Sequence, residues 1–146
     1  MNKVAIITGA ASGLGYAAAV KLMSEGAKVM LSDINEEMLS TMPERLKDFS
    51  ETQFGTFVHD VTNEQAWIDL IEKTENDVGK INILSHSAGI SLGADIVSPE
   101  FDVWKKVHQV NLDSVFLGCK YAMPVRSKSR FTHYGNSIFT SQKDTI

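Results

Sequence analysis

The stretch Thr8-Gly9-Ala10-Ala11-Ser12-Gly13-Leu14-Gly15 decides the fold of this chain. It follows a short apolar run and precedes an alanine-rich segment with helical periodicity, so it predicts the turn between a buried strand and a helix. Glycines at positions 9, 13 and 15 allow a tight turn and let the backbone approach a bound group closely. Because the N-terminus of the following helix is electropositive, the turn is typical of an anion-binding site.

An acidic residue, Asp33, stands at the end of the second predicted strand. A carboxylate in this place accepts hydrogen bonds from two ribose hydroxyls and repels a 2′-phosphate. No arginine or lysine lies in the glycine-rich turn or beside Asp33 in the sequence. The combination predicts a dinucleotide site that prefers NAD to NADP. The alternative is a glycine-rich turn and a solvated aspartate that bind no ligand.

Strand-like and helix-like segments alternate along the chain. Strands are predicted at residues 4–8, 28–32, 53–59, 81–85 and, more weakly, 137–140, and helices at 13–25, 35–49, 62–78, from 98 onward and at 111–123. Pro43 is expected to disturb the second helix. This order predicts an α/β fold, a Rossmann-type doubly wound parallel sheet with helices on both faces.

Periodicity and capping patterns orient the predicted helices. Thr62 is predicted to cap the third helix, with Gln65 completing a capping box. Phe101 and Trp104 have helical spacing and are expected in the core. Two apolar stripes are predicted to face the sheet, one on the first helix and one on the last: Leu14, Ala17, Ala18 and Leu22, and Leu112, Val115, Phe116 and Cys119.

Composition excludes several classes of protein. The chain has 146 residues, a net charge of −4 and a single cysteine, so it forms no internal disulfide and is expected in the cytoplasm. Its apolar runs are too short to span a membrane, and its histidines lack the spacing of a metal site. Residues 1–123 carry a net charge of −7 and residues 124–146 one of +3, but the basic stretch 126–130 lacks aromatic neighbours, so no nucleic-acid binding is expected.

Several separate motifs resemble the short-chain dehydrogenase/reductase family over residues 3–123. They are the glycine-rich turn, Asp33, Asp60-Val61-Thr62, Ala88-Gly89-Ile90 and Asn111-Leu-Asp-Ser-Val-Phe116. Within the family, Leu31-Ser-Asp-Ile-Asn-Glu36 is most similar to NAD-linked secondary-alcohol and hydroxysteroid dehydrogenases.

The resemblance implies a role for each matching residue. It places the pyrophosphate of NAD against the glycine-rich turn, adenine beside Asp60 and Val61, and the adenosine ribose along Ser87, Ala88 and Gly89. Asn111 matches an asparagine whose backbone carbonyl holds a water in the catalytic proton relay, although the same residue would also serve as a plain N-cap. His86-Ser87 replaces the family's usual Asn-Asn, which predicts a looser site; His86 is more readily a strand-end substitute than a catalytic acid. The expected cofactor contacts are Gly9, Ser12, Gly13, Leu14, Gly15, Asp33, Asp60, Val61, Ser87, Ala88 and Gly89.

The family's catalytic pair does not occur in these residues. Its members carry a tyrosine followed four positions later by lysine, whereas Tyr16, Tyr121 and Tyr134 are followed by Val20, Val125 and Ile138. The resemblance implies an oxidoreductase that acts on a secondary alcohol or its ketone. Without the tyrosine–lysine pair, this chain is not expected to catalyse that reaction by the family's mechanism.

The motifs and the change from negative to positive net charge divide the chain into two parts. These are an NAD-binding domain, residues 1–124, and an atypical basic tail, residues 125–146. We expect a C-terminally incomplete dehydrogenase whose tail is not the native continuation. The alternatives are a non-catalytic NAD-binding module and an inactive gene fragment. A homo-oligomer is expected to form through the helix at residues 111–123.

Overall fold

The protein is built on one parallel sheet. The computed structural model describes residues 3–91 and 100–124, and the backbone of residues 132–135. Five strands hydrogen-bond in the order β3-β2-β1-β4-β5, with bounds β1 Val4–Thr8, β2 Lys28–Asp33, β3 Phe54–Val58, β4 Ile81–His86 and β5 Thr132–Gly135. The predicted α/β, Rossmann-type sheet is confirmed, with the first four strands within two residues of their predicted bounds.

The strand order locates the functional edge of the sheet. The chain runs outward from β1 through β2 to β3, and then returns to place β4 on the other side of β1. In open parallel sheets, ligands bind outside the carboxyl ends of the strands at this reversal of direction. The ends of β1 and β4, at Thr8 and His86, pair in register and mark that crevice.

Helices cover the sheet and are joined to it by short connections. Their bounds are α1 Gly13–Ser24, α2 Glu36–Ser40, α3 Met42–Arg45, α4 Glu64–Asp77, α5 Phe101–His108 and α6 Ser114–Ala122, with a 3₁₀ turn at Glu51–Gln53 and a π-helical turn at Gln109–Asp113. Among the described residues, no helix combines the length and the apolar character needed to cross a membrane.

Every residue of β1 is buried, which is why that strand reads as an unbroken apolar run. Ala5 and Ile7 join the core under α1, α2 and α3, whereas Ile6 joins the core under α4. Trp67 is fully buried at the centre of the second core. The central strand therefore holds both layers of helices against one sheet.

The predicted buried stripe of α1 is confirmed for Ala18 and Leu22, which are partly buried against the core, and is wrong for Leu14 and Ala17, which are exposed. Leu14 is 80% exposed, and the residues that α1 buries are Gly15, Ala19 and Met23. A side chain at position 15 would overlap the Gly9 carbonyl, so this glycine lets α1 pack tightly on the turn. Glycine therefore makes the close contact with the turn, while Ala19 and Met23 are buried further along the helix.

The second predicted helix is divided near Pro43, as expected, and the third has a different cap from the predicted one. Residues 35–49 form two short helices, and Pro43 stands in the first turn of α3, where its missing N–H is tolerated. Asn63, not Thr62, caps α4, since its Oδ1 accepts a hydrogen bond from Ala66 N at 3.1 Å. The Thr62 hydroxyl donates instead to Asp60.

The last helices form one continuous run through the π-helical turn. The predicted helix at 111–123 is thus only the second part of a longer element, and Asn111 lies inside it rather than at a cap. The core positions predicted for this run are largely wrong: Phe101 is 67% exposed, Trp104 52%, Leu112 39% and Phe116 62%, whereas Val115 is buried. Burial follows the small residues of α6, which are Ser114, Gly118 and Ala122.

The final strand precedes the position predicted for it. Thr132–Gly135 pairs in parallel with β4, at the edge of the sheet. The predicted strand at 137–140 lies outside the described residues.

Candidate cofactor-binding site

The glycine-rich turn leaves an open electropositive cradle at the start of α1. Gly13 has φ +53°, and a Cβ placed there would have no neighbouring atom within 4 Å. Ser12 occupies the N-cap position with its side chain making no capping bond, and the first turn contains no acidic residue. The first backbone N–H groups of a helix have no partner within the helix. This end of α1 is therefore suited to an anion such as a pyrophosphate.

The turn is packed against the segment that follows β4. A Cβ on Gly9 would stand 2.7 Å from both Cα and N of Ala88, so only glycine fits this contact. The Thr8 hydroxyl oxygen accepts hydrogen bonds from Ser87 N and Ala88 N, each at 3.2 Å. The structure thus brings together two predicted parts of the site that lie almost 80 residues apart.

Asp33 reaches the same turn from the end of β2. Its Oδ2 accepts a hydrogen bond from Ala11 N at 3.0 Å, and its Oδ1 accepts one from Asn35 N at 3.0 Å. Since each carboxylate oxygen has two acceptor sites, both oxygens keep capacity for a hydroxyl donor. The half-buried carboxylate is therefore held in place beside the cradle and can accept from a ribose.

The segment after β3 is fixed beside Asp33. Asp60 Oδ1 accepts from Thr62 N at 2.9 Å and from the Thr62 hydroxyl at 2.7 Å, and these hydrogen bonds hold the pKa of Asp60 below its ordinary value. Val61 is buried, and its carbonyl accepts a hydrogen bond from Trp67 Nε1 at 2.9 Å. His59 N donates to the Asp33 carbonyl at 2.8 Å, which ties this segment to the end of β2.

Asn111 ties the last helices to the segment after β4. Its Oδ1 accepts from Ile90 N and its Nδ2 donates to Ile90 O, both at 2.9 Å. A Cβ on Gly89 would come within 3.4 Å of Asn111 Oδ1, so the side chain also packs closely on this glycine. Asn111 therefore anchors the backbone at Gly89 and Ile90 through its side chain, from within the π-helical turn, and the plain N-cap alternative is excluded.

His86 lies in the core beneath the site. It is 6% exposed, its ring centroid lies 5.6 Å from that of Trp67, and a side chain at Gly118 would overlap it. This burial agrees with a side chain that fills space at the end of β4. It leaves a substrate little access to the ring, which disfavours a role as catalytic acid. The described residues around it are close-packed.

Arg45 is a contact of the turn that the sequence did not reveal. Its Nη1 donates to the Ala11 carbonyl at 2.7 Å, and its guanidinium lies 4.0 Å from the centroid of the Tyr16 ring. The Tyr16 hydroxyl donates to the Arg45 carbonyl at 3.2 Å. The sequence has no basic residue in the turn or beside Asp33, and the fold brings Arg45 to the turn from α3. No local signal could have identified Arg45, because it contacts a residue 34 positions away.

The predicted cofactor residues thus converge on one edge of the sheet, formed by the ends of β1, β2, β3 and β4. Leu14, also predicted as a contact, projects into solvent at this edge. Within residues 3–91 and 100–124, no three histidine, cysteine, aspartate or glutamate side chains are placed to hold a metal ion.

Comparison with known proteins gives a consistent result. The family model for short chain dehydrogenase matches residues 3–141. The 3-beta-hydroxysteroid dehydrogenase of Comamonas testosteroni is 36% identical over 120 residues, which are 82% of this chain and 45% of that protein. An NADP-dependent (R)-specific alcohol dehydrogenase of Lentilactobacillus kefiri is 34% identical over 124 residues, 82% of this chain and 46% of that protein.

Solved structures share the same fold. A short chain dehydrogenase/reductase from Burkholderia phymatum, solved in complex with NAD, superposes with a TM-score of 0.78 at 31% identity and covers 85% of this chain and 44% of that one. The chain therefore spans about half the length of the relatives it matches. Because the family model matches residues 3–141 of the 146, this chain belongs to the short chain dehydrogenase family.

Proposed function

We propose that this chain binds NAD(H) through the edge formed by β1 to β4 and provides the cofactor-binding part of an oxidoreductase. The observation that carries the proposal is the Asp33 carboxylate, which is held by Ala11 N beside the open cradle at Gly13. A carboxylate acceptor next to an electropositive helix end suits a ribose diol joined to a pyrophosphate. The residues therefore fit the cofactor that the family uses.

Each part of the edge would have a distinct task. The N–H groups at the start of α1 would bind the pyrophosphate, Asp33 would accept from the adenosine ribose, and Asp60 would accept from the adenine amino group. Val61, Ser87, Ala88 and Gly89 would line the adenosine. The bound cofactor would supply or accept the hydride.

A secondary alcohol or its ketone is the proposed substrate class of the whole enzyme. The support is the printed activity of two relatives, a hydroxysteroid dehydrogenase and an alcohol dehydrogenase, each matched over about half its length. In that reaction Asn111 would act through its backbone carbonyl, with the side chain fixed by Ile90.

A non-catalytic NAD-binding module is the second candidate function. The observation that favours it is the absence of a tyrosine followed four positions later by lysine in residues 1–146. This candidate predicts cofactor binding without dehydrogenase turnover.

Titration with NADH tests both candidates. We expect an increase in NADH fluorescence on adding the purified chain, and a loss of affinity of at least tenfold in Asp33→Ala, since a charge-assisted contact is removed. Asp69→Ala, which removes an exposed carboxylate on α4, is the matched control and should bind like the wild type. Equal affinity in Asp33→Ala would refute the cofactor assignment. Turnover of secondary alcohols by the same preparation would refute the non-catalytic candidate.

We propose in addition that a second copy covers the exposed side of the run from α5 to α6. Phe101 and Trp104 stack with centroids 5.5 Å apart, and Leu112 and Phe116 continue the exposed apolar residues along the run. A contiguous apolar surface of this kind favours association. Sedimentation of the wild type and Phe116→Asp tests this: an oligomer should dissociate in the variant, and a wild type that sediments as a monomer at high concentration would exclude it.

A further inference from the structure

The side chain of Trp67 reaches both of the segments that are proposed to hold adenosine. It is fully buried on α4, and its Nε1 donates to the Val61 carbonyl at 2.9 Å. The ring of His59 stands edge-on to the indole with centroids 4.5 Å apart, and the ring of His86 packs against it with centroids 5.6 Å apart. His59 follows β3 and His86 ends β4, two strands that are separated in the sheet by β2 and β1. One indole therefore joins the ends of two strands that do not pair with each other.

The residues on either side of Asp60 are both held by this indole. His59 is held by its ring contact with Trp67 and by the Ser32 hydroxyl, which lies 3.2 Å from its Nδ1. Val61 is held by the hydrogen bond from Trp67 to its carbonyl. Asp60 lies between them with its side chain exposed. Because peptide groups are planar, fixing both neighbours leaves Asp60 few backbone conformations, so the indole limits where its carboxylate can point.

Loss of the indole donor would release this segment. Val61 is buried, so without Trp67 Nε1 its carbonyl would have to turn toward another donor or stay without a hydrogen bond. A segment that must be ordered again when a ligand binds lowers the affinity, because the ordering opposes binding. The loss would fall on the base of the nucleotide, since the amino group of adenine is the proposed partner of Asp60.

We propose that Trp67 is a positioning residue for the adenine end of the site. Because it is fully buried, it acts through the backbone on both sides of Asp60, and its contact with His86 ties it to the segment that begins at Ser87. The inference rests on the proposed function, because it concerns how the same site selects its base.

Binding of NADH and of its hypoxanthine analogue tests the inference. The analogue carries an oxygen in place of the amino group of adenine, so it offers Asp60 no donor at that position. The wild type should bind NADH more tightly than the analogue by on the order of tenfold, since a hydrogen bond to a carboxylate is lost. Trp67→Phe keeps an aromatic ring beside the two histidines but removes the donor to Val61, and it should reduce this ratio of Kd values to less than about threefold.

Leu70→Ala is the matched control. Leu70 is fully buried on the same helix, so its truncation lowers the stability without removing a hydrogen bond to the segment after β3, and the ratio should stay as in the wild type. An equal loss of affinity for both ligands in Trp67→Phe would show that Trp67 only supports the fold, and would overturn the inference. If the folded wild type does not bind NADH, the proposed function fails. If it binds NADH and the ratio is the same in the wild type and in Trp67→Phe, only the inference fails.

A spectroscopic measurement decides the case in which Trp67→Phe does not fold. The chain has two tryptophans, so Trp104→Phe, at an exposed position on α5, leaves Trp67 as the only indole. In the NMR spectrum of this variant, saturating ADP-ribose should shift the indole N–H resonance and slow its exchange with solvent, because the ligand holds the segment that carries the acceptor of that N–H. An indole resonance that keeps both its position and its exchange rate at saturation would rule out the positioning role.

Discussion

At the scale of single residues, two buried histidines, His59 and His86, pack against Trp67 under the cofactor edge. His59 is 1% exposed, and its ring stands edge-on to Trp67 with centroids 4.5 Å apart. Its Nδ1 lies 3.2 Å from the Ser32 hydroxyl. Burial therefore disfavours the charged form of a residue that directly precedes Asp60, a predicted adenine contact.

The stability of the protein should depend on pH through His59. Burial lowers the pKa of His59 to about 4, whereas an unfolded histidine titrates near 6.5. Between these values the unfolded chain binds a proton that the folded chain does not, so the free energy of unfolding falls as the pH falls from about 6.5 to 4. Above pH 6.5 His59 is neutral in both the folded and the unfolded chain, so it no longer makes the free energy of unfolding depend on pH.

Chemical denaturation of the wild type and His59→Leu at several pH values measures this effect. Between pH 6.5 and 4, the free energy of unfolding should fall more steeply with pH in the wild type than in the variant. Over this range the additional fall should reach up to about 3 kcal/mol. Comparing slopes rather than absolute stabilities removes the cost of losing the Ser32 contact. Identical slopes in the wild type and the variant would show that His59 does not cause the pH dependence of stability.

Gly118 is required by the side chains that it faces. A Cβ there would stand 2.7 Å from Trp67 Cη2 and overlap the ring of His86. Alanine is a better helix former by about 1 kcal/mol, but overpacking a core costs about 1–3 kcal/mol, so Gly118→Ala should be destabilising on balance. Urea unfolding measures this, and Cys119→Ala on the same helix serves as the control. If Gly118→Ala were more stable than the wild type, the rings of Trp67 and His86 would have to move aside for the added methyl group at little cost.

At the scale of elements, helix starts and helix faces were set by contacts beyond the sequence pattern. Thr62 and Asn63 both carry cap-forming side chains, and the structure uses Asn63 for α4 and Thr62 for Asp60. In α1 and α6, Gly15 and Gly118 are buried where the helices closely approach the backbone or the rings beneath them, and Met23 and Val115 are buried beside them. Hydrophobic periodicity alone also selects Leu14, Leu112 and Phe116, which remain exposed.

The two candidate caps should respond differently to substitution. Asn63→Ala should lower the free energy of unfolding by about 1 kcal/mol, because it leaves Ala66 N without its acceptor. Thr62→Val removes one donor to Asp60, so it should raise the pKa of Asp60 while the helix keeps its cap. Thermal unfolding and NMR titration of the carboxyl measure the two effects. If Thr62→Val were the more destabilising of the two variants, Thr62 rather than Asn63 would be the cap of α4.

At the scale of the whole molecule, the candidate site exists only after four distant segments have come together. The glycine-rich turn, Asp33, the segment after β3 and the segment after β4 meet at one edge of the sheet through the Thr8, Ala11 and Asp33 hydrogen bonds. A ligand that binds this edge binds only the folded chain, so it must stabilise the fold by mass action.

Thermal unfolding should therefore detect the site. NADH at about one hundred times its Kd should add about 2.7 kcal/mol to the free energy of unfolding. Since the proposed contacts lie on the adenosine side of the cofactor, ADP-ribose should raise Tm nearly as much as NADH, whereas nicotinamide mononucleotide should not raise it. An equal increase with the mononucleotide would place the main contacts elsewhere.

Much of the fold could be predicted from local patterns, and less of the site. The first four strands, α1 and α4 follow from apolar runs, glycines and amphipathic periodicity, which act over a few residues. The site residues were predicted as a set, but the hydrogen bonds from Arg45 to Ala11 and from Asn111 to Ile90 were not, because they join residues 34 and 21 positions apart. The strand at Thr132–Gly135 was missed because an edge strand carries a weaker pattern than a central one.

Local sequence patterns predicted the alternation of strands and helices, the glycine-rich turn and the position of Asp33 at the end of β2. These depend on backbone conformation and on the alternation of short segments, which are local properties. The tertiary structure alone decided which helix faces are buried, that His86 packs between Trp67 and Gly118, and that Arg45 reaches the turn. Those outcomes depend on how closely distant segments approach each other, and only the packed chain defines these distances.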